Sequence, residues 1–131
     1  MEAYDFYLRG IEFFLRLTKE ANIQARQMFE RAIALDPKYA TAYAFLAYNY
    51  WVEWFFQLSQ DPQTLKRAGE LAQRAIALDD STAPAHLVLG SVYLLEKQLE
   101  QAIAEAERVL TLNPNNAFGF YPRGTMRRSP H

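Results

Sequence analysis

The side chains able to do chemistry in this chain are few, and their spacing assembles no reaction. There are two histidines, His86 and His131, and no cysteine. Disulfides, a thiolate nucleophile and a credible zinc-ligand set are therefore not expected. Glu105 and Glu107 fall on different faces of a helix, and Asp79 and Asp80 sit where a helix ends, so neither pair is placed as a general acid and base. The five glycines are scattered and form no phosphate-cradling loop. Arg123, Arg127 and Arg128 make a short basic run with no aromatic platform beside it, which reads as a solvated tail and not as a nucleic-acid contact. No catalytic residue, cofactor or metal is expected, and the chain is read as a non-enzyme.

What the chain does carry is aromatic surface: nine Phe, eight Tyr and two Trp in 131 residues. A formal net charge of -1 gives no basic field to hold nucleic acid. The longest apolar stretch, Ala42–Leu58, is interrupted by Asn49 and Glu53, and is too short and polar for a membrane span. The start, MEAYDFYLRG, shows no basic segment leading into an apolar run, so no signal peptide is expected. With no cysteine, the reading is a cytoplasmic protein that engages neither nucleic acid nor membrane.

The elements that must position these aromatics are helices. Tyr4, Tyr7, Leu8, Ile11, Phe14 and Leu15 recur at helical spacing and predict a first helix over Ala3–Leu17. Thr18–Ala21 reads as a polar break, with Asn22 capping a second helix that ends at Leu35 before Asp36–Pro37. A third helix opens at Lys38 or Tyr39 and ends at Ser59–Pro62. A fourth is capped by Asp61 with Pro62 at its first position, and runs to about Asp79. A fifth, capped by Ser81 or Thr82, ends near Glu96, and a sixth spans about Leu99–Leu112.

These helices repeat. RAIALD at Arg31–Asp36 returns at Arg74–Asp79, and RVLTLN at Arg108–Asn113 is a looser copy. Over Ala83–Asn116, Leu89-Gly90, Tyr93, Ala102 and Pro114 stand at the positions of a repeat of about 34 residues. A second copy has Tyr43, Leu46-Ala47, Tyr50, Ala68 and Ala75, and a first has Gly10, Phe13, Ala25, Phe29, Ala32 and Pro37. Residues 3–116 thus resemble three tetratricopeptide repeats, about 3–39, 40–82 and 83–116. Residues 117–131 are an aborted fourth repeat and a disordered tail. The resemblance implies an all-α fold, a right-handed superhelix (α-solenoid) of three antiparallel helix pairs, in which the first helix of each pair lines a concave face that binds peptides, helices or other proteins. Gly10, Ala47 and Gly90, facing Ala25, Ala68 and Ala102, would let paired helices approach closely, with Phe29 filling the space between repeats. YDFYLRG and ALDPKYATAYAFLA also resemble repeat segments found beside nucleotide-cyclase and DNA-binding domains of bacterial regulators.

One departure from the pattern is large. Ala25 to Ala68 is 43 residues instead of about 34. The nine extra residues predict about one added turn on each helix of the second pair, carrying Trp54, Phe55, Phe56 and Leu58 at one edge and packing on the lengthened first repeat.

Mapped onto the repeat, Tyr7, Ile11, Phe14, Ala44, Phe45, Tyr48, Trp51, Leu87 and Ser91 fall on or near the concave face. They hold no lysine, arginine or asparagine, so the carboxylate clamp of some family members is not expected. An apolar groove with tyrosine hydroxyls suits an amphipathic helix or apolar peptide; the alternative is that tight curvature buries the set as core. Trp54, Phe55 and Phe56 point in three directions on a helix, so at least one should reach the surface or another chain, unless the first repeat covers them. Ala102, Ile103, Ala106 and Leu110 would leave an exposed face on the last helix, which predicts self-association unless Phe118, Phe120 and Tyr121 fold over it. The function read here is a protein–protein interaction scaffold with an unidentified protein or peptide partner. The alternative is a homo-oligomerisation or regulatory module of a larger bacterial signalling protein.

Overall fold

A computed structural model describes residues 2–113 of the chain. The expected fourth-repeat start and tail lie outside these residues. Six helices make up the described part: α1 (Ala3–Phe14), α2 (Lys19–Leu35), α3 (Ala40–Phe55), α4 (Thr64–Leu78), α5 (Ala83–Leu95) and α6 (Leu99–Leu112). No strand occurs among the described residues. The helices pack as consecutive pairs, α1 on α2, α3 on α4 and α5 on α6. Each pair also rests on the next, α2 on α3 and α4 with α3 on α5. This is an all-α solenoid of three antiparallel pairs.

Local chemistry sets the boundaries, in places differently from the sequence reading. The Thr18 hydroxyl accepts from the Ala21 amide at 3.0 Å, so Thr18, not Asn22, caps α2. All of the expected break after Thr18 is therefore helix, and Asn22 is buried one turn inside it. Asp61 does not cap α4 directly. Its carboxylate accepts from the Gln63 amide at 2.9 Å, closing a turn that precedes the first helical residue, Thr64. Thr82 stands at the cap position of α5, but its hydroxyl donates back to the Asp79 carbonyl at 3.2 Å.

The nine extra residues of the second pair go mainly into its connection. α3 has 16 residues against 13 in α5. α4 has 15 against 14 in α6, so α4 gains no turn. The rest lengthens residues 56–63, which are anchored at the start: Gln57 takes φ 56°, and the Leu58 amide donates to the Glu53 carbonyl at 2.8 Å. The same C-terminal lock ends α5, where Lys97 has φ 62° and the Gln98 amide donates to the Tyr93 carbonyl at 2.9 Å.

Two apolar clusters form the core. In the first, Phe14, Ala25, Phe29 and Leu46 join the first pair to α3. In the second, Ala44, Ala47, Ala68, Ala72, Ala75, Ala85, Val88 and Leu89 join the second pair to α5. Small residues dominate the second cluster, and Tyr48, Trp51 and Tyr93 pack around them to fill the space. At the first joint Gly10 meets the fully buried ring of Phe29: a Cβ there would lie 2.5 Å from Phe29 Cε1. No helix among the described residues is long and apolar enough to cross a membrane.

Candidate functional site: an aromatic stripe along α1 and α3

Helical spacing puts Tyr7, Ile11 and Phe14 on one face of α1, and Ala44, Tyr48, Trp51 and Phe55 on one face of α3. α3 packs on α2, and its aromatic rings reach across to those of α1, which joins these faces. Tyr7 lies 5.9 Å from Phe45 (ring centroids), and Phe14 lies 6.4 Å from Phe45 and 5.3 Å from Tyr48. The series continues through Tyr48–Trp51 at 5.9 Å, the stacked Trp51–Phe55 pair at 4.9 Å and the edge-on Phe55–Phe56 pair at 5.1 Å. Tyr4 and Tyr39 extend it at the other end, 6.4 Å and 5.3 Å from Tyr7.

Burial divides the sequence-derived residues into roles. Phe14 and Ala44 are buried and back the stripe without presenting surface. Tyr7, Ile11, Phe45, Tyr48, Trp51 and Trp54 are half-buried. Phe55 and Phe56 are 55% and 62% exposed. Leu87 and Ser91 do not join the stripe; they line a separate apolar groove between α5 and α6. Burial, followed by the neighbouring phenols, pushes the Tyr7 and Tyr39 hydroxyls above the usual tyrosine range, so they remain neutral hydrogen-bonding groups at physiological pH. Trp51 Nε1 is enclosed without an acceptor among the described residues, a cost of about 1–3 kcal/mol.

Sequence reasoning missed a polar joint behind the stripe. Asn22 and Arg26 of α2 face Asn49 and Glu53 of α3. Asn49 Nδ2 donates to Asn22 Oδ1 at 2.6 Å, and Arg26 Nη1 donates to both Glu53 oxygens at 2.9 Å. Burial pushes the Glu53 carboxyl above the ordinary glutamate range, and Arg26 opposes the shift. The signal was present: each helix places two polar residues four apart, and those of α3 interrupt an apolar run, where a buried polar group requires a partner. His86 is buried between two acceptors, with Nδ1 2.5 Å from Glu105 Oε1 and Nε2 2.7 Å from the Asp80 carbonyl. It fastens α6 to the loop before α5. No group of His, Asp and Glu among the described residues is arranged to hold a metal ion.

The stripe can therefore bury apolar surface and offer phenol hydroxyls. Comparisons with known proteins bear on the repeat and the fold. The tetratricopeptide repeat pattern matches residues 83–116. A Rhizobium meliloti (strain 1021) protein named "Putative adenylate cyclase 3" is 32% identical over 102 residues, which are 77% of this chain. The matched part is only 17% of that protein's length. Among solved structures, the second TPR of Spaghetti (RPAP3), bound to the HSP90 peptide SRMEEVD, superposes with a TM-score of 0.66 at 26% identity, covering 86% of this chain and 94% of that one. A crystal structure of MamA shares the fold, with a TM-score of 0.61 at 23% identity, covering 88% of this chain and 61% of MamA. Residues 83–116 thus carry a tetratricopeptide repeat in sequence, and the described helix pairs share the fold of tetratricopeptide-repeat structures.

Proposed function

We propose that the chain is a protein-interaction module, not an enzyme, and that it binds an amphipathic helix or apolar peptide along the α1–α3 aromatic stripe. The observation that carries this reading is the continuous series of rings from Tyr4 to Phe56, at least part-exposed except at the buried Phe14, with no lysine or arginine among the stripe residues. α3 has 16 residues and is about 24 Å long, the length of an equally long ligand helix. The structural relative bound to an HSP90 peptide supports a peptide ligand in general. The chemistry here differs from what an acidic peptide such as SRMEEVD needs, because apolar burial replaces charge pairing. Tyr48 and Trp51 would be the energetic anchors, since central aromatics commonly are. The absence of cysteine suits a module working in the reducing cytoplasm.

Calorimetric titration with a panel of amphipathic helical peptides, and with SRMEEVD as the acidic comparison, tests this. An apolar-faced peptide should bind and SRMEEVD should not. Trp51→Ala should weaken binding by about thirtyfold. Phe55→Ser, at an exposed position that leaves the core intact, should also weaken it. Equal affinity for SRMEEVD, or indifference to both variants, would sink the reading.

The likeness to a segment of the Rhizobium meliloti protein supports a second reading, a regulatory or homo-oligomerising segment of a larger bacterial signalling protein, meeting its copy through Trp54, Phe55 and Phe56. Light scattering on the chain alone separates the two. A dimer that Phe56→Ser dissolves favours self-association, and a monomer removes it.

A further inference from the structure

We propose that the edge formed by the three turns within the helix pairs joins two copies of the chain about a two-fold axis. The second turn meets its own copy, and the first turn meets the third turn of the other chain. This rests on the self-association reading and fixes its register.

The repeat puts the turns in a row. α1 and α3 run in the same direction, since Tyr7 meets Phe45 and Phe14 meets Tyr48 one step further along each helix. Residues 15–18, 56–63 and 96–98 therefore follow one another along one edge. Lys19 shares a pocket with Leu58 and Ser59, and Pro62 shares another with Tyr93 and Glu96, which holds each turn beside the next.

The edge is apolar. Leu15 and Leu17 at the first turn, Phe55 and Phe56 at the second, and Leu94 and Leu95 at the third are 49–82% exposed. The connectors at the opposite edge, residues 36–39 and 79–82, expose only Asp36, Pro37, Lys38, Asp79, Asp80 and Ser81. Single exposed leucines are ordinary, but a row of apolar side chains along one edge marks an interaction surface. Leu17 adds to this. Its φ of 57° is left-handed, a region that glycine or asparagine occupies more easily, yet it is a leucine and 82% exposed. Packing within the described chain does not account for a leucine at that position, and a contact with another molecule does.

Charge selects a second copy as that molecule. The first turn is flanked by Arg16, Lys19 and Glu20, and the third by Glu96, Lys97 and Glu100. All six are exposed, and none is in an ion pair among the described residues. One set has two cations and one anion, and the other has two anions and one cation. A two-fold axis through the second turn brings these opposite sets together twice, and it places Phe55 and Phe56 against their own copies. An arrangement in which every turn met its own copy would instead oppose like charges, which disfavours binding. The acidic third turn also disfavours an anionic membrane surface.

Two charge-reversed full-length chains test the register: Arg16→Glu with Lys19→Glu, and Glu96→Lys with Glu100→Lys. The unsubstituted chain should be a dimer by light scattering. Each variant alone opposes like charges at both contacts, and its dimer should weaken by about tenfold. An equimolar mixture should recover the dimer, because each chain then offers the other its complement, and recovery also shows that both are folded. A monomeric unsubstituted chain overturns the proposal together with the self-association reading and leaves the edge to a foreign partner. A dimer that Phe56→Ser dissolves while both charge variants leave it intact overturns this register alone. If a charge variant fails to fold, Leu17→Gly decides. It relaxes the left-handed backbone and removes an apolar contact, so the folded chain should dimerise about tenfold more weakly, and an unchanged dimer overturns the proposal.

Discussion

Gly10→Ala, Gly69→Ala and Gly90→Ala make one chemical change at three helical positions, and the structure assigns them different signs. Each substitution gains about 1 kcal/mol of helix propensity. At Gly69 the new Cβ would lie 3.6 Å and 3.8 Å from the Val92 methyls, ordinary contact, so the gain survives and the protein is stabilised by about 1 kcal/mol. At Gly10 the Cβ would lie 2.5, 2.7 and 2.9 Å from three ring atoms of Phe29. That ring is fully buried, with Tyr7 and Phe45 each 6.1 Å away, so it has little room to retreat. Overpacking of this kind costs about 1–3 kcal/mol, which leaves Gly10→Ala destabilising by about 1–2 kcal/mol. Gly90→Ala falls between, since its Cβ would sit 3.1 Å from Glu105 Cβ, and Glu105 is held by His86. Urea melts with unchanged slopes would measure the series. Each kcal/mol should also move the thermal midpoint by about 4–8 °C. The cause can be isolated with Phe29→Leu: in that background Gly10→Ala should become stabilising, a coupling of about 2 kcal/mol or more. If Gly10→Ala stabilises the unsubstituted protein as Gly69→Ala does, the close approach of α1 and α2 is wrong.

Two further outcomes follow from particular residues. Burial raises the folded-state pKa of Glu53, so its contribution to stability is fully present below the unfolded glutamate value and falls as pH rises through the folded value; the stability difference between the wild type and Glu53→Gln should therefore shrink from pH 4 to pH 7 in paired urea melts, and a widening difference would mean that Arg26 dominates instead. Lys97 holds φ 62° at the end of α5, where a side chain strains the backbone, so Lys97→Gly should stabilise by about 0.5–1 kcal/mol in thermal melts while Lys97→Ala should not.

The legible features were those set by local pattern. Six helices in three pairs follow from apolar spacing and from the RAIALD repeat, and the tetratricopeptide-repeat resemblance from small residues at fixed offsets, because the core face of a helix and its close approaches are written in neighbouring positions. Helix ends were less legible. Asn22 and Thr18 are both good caps by type, and only the tertiary demand for a buried partner to Asn49 placed Asn22 inside the helix. The nine extra residues were countable, but their division between helix and connection depends on where α3 stops, and a positive φ at Gln57 locks that point.

The sequence by itself determined the helical class, the repeat and the wealth of aromatic side chains. Only the tertiary structure decided which aromatics share a surface. Tyr7, Phe45, Tyr48, Trp51 and Phe55 become one stripe because α3 packs on α2 and its rings reach those of α1, whereas Leu87 and Ser91, of the same repeat class, were drawn to a groove with α6. The physical reason is that periodicity fixes the face a residue occupies on its own helix, while the neighbour that covers that face is set by packing between helices distant in sequence.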